Sequence, residues 1–193
     1  MKTSFYTFII ALFLMPFSLF AQTDHLKFKG IPINGTQSQF VAKMQSVGFT
    51  KLGKDGRVVI LEGDFAGYEG CYVLVPTLDN KDLVGRIVVK FRSHDNWRSL
   101  ENNYQNIKEM LTKKYGEPHD VVEEFQNNYV DDDNDKYHEV IMNRCNFRTE
   151  WETELGNIIL TITFLRGLGS SVGLAYVDKV NNAIIEQTAL DDL

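Results

Sequence analysis

The sequence predicts an α+β fold, a two-layer sandwich in which two helices cover one face of an antiparallel sheet. Two segments with helical periodicity each end at a glycine, and each is followed by runs in which apolar and polar residues alternate, as they do in strands. The two helix-plus-meander units occupy residues 36–91 and 95–178. Because such units can join their strands edge to edge, we expect a single sheet with both helices on the same face.

The first helix is indicated by a start signal, an apolar stripe and a stop signal. Thr36 and Gln39 have the spacing of a capping box, and Gly48 follows the last apolar position. The stripe consists of Phe40, Val41, Met44 and Val47. Runs rich in Val, Ile and Tyr come next and predict a three-stranded meander. These runs are residues 57–61, 70–77 and 83–91.

The second helix is the segment with the most consistent helical pattern. Asp95 is a suitable N-cap, and Gly116 with Pro118 ends the segment. Lys113 and Lys114 lie in the last turn, where the helix dipole favours positive charge. Apolar side chains recur at spacings of three and four, which predicts a stripe packed on the sheet. They are Trp97, Leu100, Tyr104, Ile107, Leu111 and Tyr115.

The second meander follows this helix. Residues 119–126 begin as a strand, and the polar, acidic residues 127–138 indicate a long loop or hairpin tip. Three alternating runs then predict strands, and a short helix is expected from Asn181 onward. The runs are residues 145–155, 157–165 and 172–178, and a short edge strand near residues 26–28 precedes the first helix.

The first 21 residues have the pattern of a signal peptide with cleavage after Ala21. Lys2 precedes an apolar run from Phe8 to Phe17 that is shorter than the roughly 20 residues needed to cross a bilayer. A membrane anchor is the alternative, but Pro16 interrupts the run. We therefore expect a periplasmic or secreted protein whose residues 22–193 form one domain.

Charge and composition exclude some classes of partner. The formal net charge is −6, so the phosphate attraction that dominates nucleic-acid affinity would be replaced by repulsion. Aromatic content of 12% and hydrophobic content of 44% are typical of a globular chain. We expect no nucleic-acid partner, no transmembrane segment after signal removal and no cofactor.

The chain has two cysteines, Cys71 and Cys145. In an exported protein, paired thiols usually form disulfides. If the two residues lay on neighbouring strands, their bond would close a long loop and stabilise the fold by roughly 4 kcal/mol. The sequence thus favours a disulfide, with two separate buried thiols as the alternative.

The acidic run and the glycine-rich run both lack features that their motifs require. Asp131, Asp133 and Asp135 have the spacing of the first calcium ligands, but Lys136 stands where the loop needs glycine and Met142 where it needs glutamate. We expect a solvated acidic loop, with calcium as an open alternative. Gly167, Gly169 and Gly173 precede a strand rather than a helix, so they indicate a turn and not a phosphate loop.

Carboxylates and histidines give the only basis for an enzyme hypothesis. Glu150, Glu152 and Glu154 alternate along one predicted strand, as paired acid-base carboxylates would if they lined a cleft. A charged solvent face is the simpler interpretation. The histidines show no metal-ligand or catalytic spacing. They are His25, His94, His119 and His138.

The leading hypothesis is a non-enzymatic module that binds a protein through the sheet face that the helices leave open. Alternation places five charged residues on that face, and mixed charge on a rigid surface suits recognition by electrostatic complementarity. These residues are Arg86, Lys90, Arg148, Glu150 and Glu152. The alternatives are a small hydrolase-like enzyme using a groove and an accessory protein of cell-envelope assembly.

The order of elements also resembles that of a known family. An exported chain with a helix closing in glycine and a meander, then a second helix closing as KKYGEP and a second meander, is similar to the beta-lactamase-inhibitor-protein-like small exported bacterial domains. The resemblance implies a repeated unit whose concave sheet often binds other proteins, with no shared chemistry. It carries over no inhibitory loop, and the acidic segment 127–138 departs from it.

Overall fold

The computed structural model describes residues 24–77, 81–127 and 130–191, so the predicted signal peptide lies outside the described residues. Within these ranges the chain forms four helices and ten strands. In chain order they are β1 Lys27–Phe28, β2 Ile31–Pro32, α1 Gln37–Ser46, β3 Thr50–Asp55, β4 Val58–Phe65, β5 Tyr68–Pro76, β6 Arg86–Lys90, α2 Trp97–Tyr115, β7 Asp120–Phe125, α3 Asp133–Ile141, β8 Cys145–Thr153, β9 Gly156–Leu165, β10 Gly169–Asp178 and α4 Lys179–Asp191. None of these helices combines the length and the apolar character that crossing a membrane requires.

Eight strands form one antiparallel sheet in the order β3-β4-β5-β6-β10-β9-β8-β7. Each unit contributes a four-stranded meander, and the two meanders join through their last strands, where Val88 of β6 pairs with Ala175 of β10. The predicted fold class, an α+β two-layer sandwich built from two helix-plus-meander units, is confirmed. The first meander has one more strand than predicted, because the exposed edge strand β3 lacks the alternation that identifies a strand in sequence.

Helix α1 begins at the predicted capping box, in which Thr36 accepts a hydrogen bond from Gln39 N and the Gln39 side chain accepts one from Thr36 N. The buried side chain of Gln37 fixes the helix to the sheet, since its Nε2 donates to the carbonyl of Val75 at 2.6 Å. Phe40 and Met44 are fully buried beneath the helix. Helix α1 therefore covers the β4–β5 side of the sheet.

Helix α2 covers the β8–β10 side with the predicted apolar stripe. The N-cap is Asn96 rather than Asp95, because the Asn96 side chain accepts the backbone N–H of Ser99 at 2.9 Å. The Tyr104 hydroxyl lies 2.6 Å from the Thr149 hydroxyl of β8. Both helices thus lie on the face of the sheet that carries the core, as predicted.

The prediction of a loop over residues 127–138 is wrong for the part that the structure describes after residue 130, where helix α3 begins at Asp133. Asp132 is its N-cap and accepts hydrogen bonds from the backbone N–H groups of Asn134 at 2.8 Å and Asp135 at 2.9 Å. The helix packs through the buried residue Val140. Its acidic first turn suits the positive end of the helix dipole, which is why the aspartates favour a helix here.

The start of the described chain meets the junction of β10 and α4. Asp178, the last residue of β10, accepts hydrogen bonds from the backbone N–H groups of Leu26 and Asn181, each at 2.8 Å. The Asn181 side chain in turn donates to the carbonyls of Ile33 and Val84. The C-terminal helix is longer than predicted and starts two residues earlier, because the Asp178 carboxylate caps it.

The predicted disulfide is wrong. Cys71 lies on β5 and Cys145 on β8, and both thiols are free. Three strands separate β5 from β8 in the sheet, so the two backbones are about 19 Å apart at the usual strand spacing. A disulfide requires Cα atoms within about 7 Å. The disulfide prediction rested on an expected compartment, and the sequence did not specify the strand order that keeps the two cysteines apart.

Candidate protein-binding face

The open face is the side of the sheet whose side chains point away from the buried core. Cross-strand partners share a face, so the strand register defines which side chains lie together there. One row of paired residues crosses five adjacent strands with apolar side chains only, a distance of about 19 Å. This apolar row consists of Ile60, Leu74, Val88, Ala175 and Ile159, each of which is half-buried.

A second row lies beside the apolar row and carries one charge of each sign. Arg86 of β6 and Glu152 of β8 are exposed at its two ends, with Val177 and Asn157 between them. Three strand spacings separate the two charged residues, which is roughly 14 Å. Within the described chain, neither side chain has a hydrogen bond or ion pair, so both charges are available to a partner.

The remaining charges on the β7–β8 side of the open face form one cluster, in which a single arginine is paired with two carboxylates. Arg148 pairs with Asp120 of β7 at 3.0 Å and with Glu150 on its own strand. Glu150 also accepts a hydrogen bond from the Asn157 side chain at 2.7 Å. This cluster fixes the Arg148 side chain against the sheet and forms a polar border at the end of the apolar row.

The structure places all five predicted binding residues on the open face, but in three different states. Arg86 and Glu152 are exposed, whereas Arg148 and Glu150 are bound to each other. Lys90 differs from the expectation of a solvent-facing charge, because only 4% of it is exposed. Lys90 pairs across the sheet with Gly173. Because glycine has no side chain, the lysine side chain can lie against the sheet instead of extending into solvent.

A pocket of about 370 Å³ opens on the face at the β3 end of the apolar row. Lys90 forms part of its wall, and Lys54 and Asp55 contribute one charge of each sign. The other lining residues are largely apolar: Leu52, Gly53, Ile60, Tyr72, Leu74 and Leu168. Leu52 and Leu168 were missed in the sequence because one lies at an irregularity in the edge strand and the other in a turn.

The residues behind the enzyme hypothesis are distributed over separate parts of the fold. His25 contacts Asp178 at 3.0 Å near the N-terminus, while Glu154 lies in the turn between β8 and β9. Asp133, from the predicted acidic loop, pairs with Arg98 at 3.4 Å. Among the side chains that the structure describes, no group of three or more His, Cys, Asp or Glu is placed to hold a metal ion.

Two polar side chains are buried where residue 94 meets β10. The Nε2 atom of His94 and the hydroxyl oxygen of Ser170 are buried without a hydrogen-bond partner, although the two residues form an isolated bridge. Burial lowers the pKa of the His94 imidazole. Ser170 has the same core-facing parity in β10 as Val172 and Leu174, so this pair lies away from the open face.

Comparison of the chain with models of protein families, with curated proteins and with solved structures finds no match.

Proposed function

We propose that this chain is an exported, non-enzymatic binding module that recognises a protein partner through the open face of its sheet. The observation that supports this most strongly is the apolar row from Ile60 to Ile159, which lies on the face that α1 and α2 leave uncovered. Contiguous apolar surface bordered by polar groups is characteristic of sites of protein interaction. A rigid sheet presents such a surface without a large cost of ordering on binding.

The available charges indicate the chemistry of the partner. Arg86 and Glu152 are exposed beside the apolar row and carry opposite charges about 14 Å apart. A complementary surface has an apolar strip with an acidic side chain opposite Arg86 and a basic side chain opposite Glu152. Such pairing fixes the orientation of the partner more than it raises the affinity, since rim charges mainly steer association.

The architecture and the leader sequence support the remaining parts of this proposal. The two joined helix-plus-meander units have the element order on which the resemblance to the beta-lactamase-inhibitor-protein-like domains rests, and that resemblance implies a sheet that binds proteins. The signal-peptide pattern of residues 1–21 supports a partner in the cell envelope or outside the cell. We therefore expect the partner to be a periplasmic, envelope-bound or extracellular protein.

A variant within the apolar row tests this proposal. Ala175→Glu introduces a charge inside the row, next to its central residue Val88, where a bound partner would have to desolvate it. Residues 22–193 would be immobilised as wild type and variant, and proteins retained from envelope extract would be quantified. We expect the variant to lose a partner that the wild type retains, and a photo-cross-linker placed at Thr161 of the open face to react with that same partner.

The matched control is Val121→Glu, which also adds a charge to an exposed apolar residue of a strand. Val121 of β7 is 45% exposed but has the parity of the core face. This variant should retain the partner, and a cross-linker at position 121 should not reach it. Equal retention by Ala175→Glu and wild type would refute the assignment of the open face, as would self-association of the chain through this face in sedimentation experiments.

A further inference from the structure

Lys90 is buried on the open face and has no counter-charge among the residues that the structure describes. Only 4% of the residue is exposed, and its Nζ donates a single hydrogen bond, to the carbonyl of Gly169 at 3.3 Å. An ammonium group has three donors, so two of them have no protein acceptor among the residues described. No carboxylate of the described chain forms an ion pair with it. Buried charges in folded proteins are normally paired or coordinated.

The burial of Lys90 also affects its pKa. Desolvation lowers the pKa of the Lys90 ammonium below its usual value of 10.5. A nearby negative charge would reverse this effect, because an opposite charge at short range favours the charged form. The buried ammonium therefore lacks a negative partner among the described residues, and a bound anion would supply one.

The surroundings of Lys90 determine what kind of anion could enter. The pocket beside it has a volume of about 370 Å³, within the range of small-molecule sites. Lys54 and Asp55 offset each other at its wall, which leaves Lys90 as the net charge. The rest of the wall is formed mainly by aliphatic side chains and one aromatic ring, namely Leu52, Ile60, Leu74, Leu168 and Tyr72. A ligand that fits has one negative charge and a hydrocarbon body.

We propose that this pocket binds a small monocarboxylic acid, with its carboxylate paired to Lys90 and its hydrocarbon chain against Leu52 and Leu168. The pairing converts a lone buried charge into a charge-assisted hydrogen bond. The hydrocarbon chain of the ligand covers Leu52 and Leu168, whose exposed fractions are 51% and 47%. This site goes beyond the proposed protein binding: it shares Ile60 and Leu74 with one end of the apolar row, but it needs neither the charged row nor the other three residues of the apolar row.

The test uses three probes of the same length and different charge: octanoate, octanol and octylammonium. Each is titrated calorimetrically into the wild type and into Lys90→Met, a substitution that removes the charge and keeps an unbranched side chain. We expect octanoate to bind the wild type at least about tenfold more tightly than Lys90→Met. Octanol should bind both proteins weakly and alike, and octylammonium should bind neither.

The matched control is Lys43→Met, which makes the same change at an exposed position of α1. It should bind octanoate like the wild type. A second variant keeps the test valid if Lys90→Met does not fold: Leu52→Ser with Leu168→Ser removes exposed apolar wall and should weaken octanoate binding while Lys90 stays in place. No octanoate binding to the wild type, or equal binding to the wild type and Lys90→Met, would overturn the proposal.

The acid site and the protein-binding face can fail separately. Ala175 does not line the pocket, so Ala175→Glu should bind octanoate like the wild type even if it loses the protein partner. Conversely, Leu52→Ser with Leu168→Ser should retain the partner, since neither leucine belongs to the apolar row or to the charged row. Loss of partner capture in Ala175→Glu with normal octanoate binding supports both assignments, whereas octanoate binding with unchanged capture supports the acid site and refutes the protein face.

Discussion

The carboxylate of Asp178 accepts a hydrogen bond from the backbone N–H of Leu26 at 2.8 Å, although 152 positions separate the two residues in the sequence. The same carboxylate contacts His25 Nδ1 at 3.0 Å and accepts the backbone N–H of Asn181 at 2.8 Å. The Asp178 side chain is fully buried. One carboxylate therefore fixes the start of the described chain, the end of β10 and the first turn of α4.

Removing this carboxylate should destabilise the whole domain. Asp178→Ala leaves the N–H groups of Leu26 and Asn181 buried without acceptors, and we expect the free energy of unfolding to fall by about 3 kcal/mol. Urea unfolding followed by circular dichroism measures the change. Asp55→Ala, at an exposed position of the edge strand β3, is the control and should stay within about 0.5 kcal/mol of the wild type. Equal effects of the two substitutions would contradict the role of Asp178.

The hydrogen bond between Tyr104 of α2 and Thr149 of β8 should contribute to the attachment of the helix. The two hydroxyl oxygens lie 2.6 Å apart in the core, and Thr149 is fully buried. Unfolding of Tyr104→Phe, Thr149→Val and the double variant gives the interaction energy, which we expect to be about 1 kcal/mol. Each single change leaves one buried hydroxyl unpaired, so the double variant should be more stable than the sum of the single losses implies. Strict additivity would show that the contact contributes nothing.

The buried Lys90 should give the protein a specific pH dependence. Because burial lowers the pKa of Lys90 in the folded state, the unfolded chain binds a proton that the folded chain has lost between that pKa and 10.5. Stability must then rise with pH in this window. We expect the wild type to gain stability relative to Lys90→Met as the pH rises through this window towards 10.5, measured by urea unfolding.

The comparison with Lys90→Met also removes an opposing effect of buried tyrosines. Burial raises the pKa of Tyr104 and Tyr176, so the folded chain keeps protons that the unfolded chain loses above about pH 10. This lowers the stability of the wild type and of the variant equally. The stability difference between them therefore reports Lys90 alone. A difference that stays constant with pH would mean that Lys90 is exposed in solution.

The separation of the two cysteines predicts that the protein is insensitive to reducing agents. The thermal unfolding midpoint should be unchanged by dithiothreitol, and both thiols should react with Ellman's reagent in denaturant. In the native protein both should react slowly, because burial raises the pKa of Cys71 and raises the pKa of Cys145 to about 12. A thermal unfolding midpoint that falls on reduction would instead indicate a disulfide. So would cysteines that fail to react with Ellman's reagent in denatured protein that has not been reduced.

Much of the fold could be predicted because strong local signals agree with the tertiary structure. The capping box at Thr36 and Gln39 and the apolar stripe of α2 each specify a helix with no reference to distant residues. The prediction fails for elements whose local sequence pattern does not reflect their surroundings in the fold. Edge strand β3 is exposed on both sides and so has no alternation, and α3 is a short helix whose aspartates favour a loop as readily as a helix start.

The site was harder to predict, since alternation gives the face of a residue but not its exposure or its partners. Arg86 and Glu152 are exposed as expected. Arg148 is bound by Asp120, a residue of another strand whose register the sequence did not specify. Lys90 is buried because of the glycine opposite it, Gly173, and such cross-sheet pairs depend on strand order. The strand order also separates the two cysteines, which is why the predicted disulfide was wrong.

Hydroxyl-radical footprinting of the chain with its captured partner tests the central claim most directly. Binding through the open face predicts that oxidation of Ile60, Leu74, Val88 and Ile159 decreases in the complex. Two exposed side chains away from that face, Met110 of α2 and Val121 of β7, should be oxidised as in the free protein. Protection of Met110 or Val121 with unchanged oxidation of the apolar row would contradict the claim that this face binds the partner.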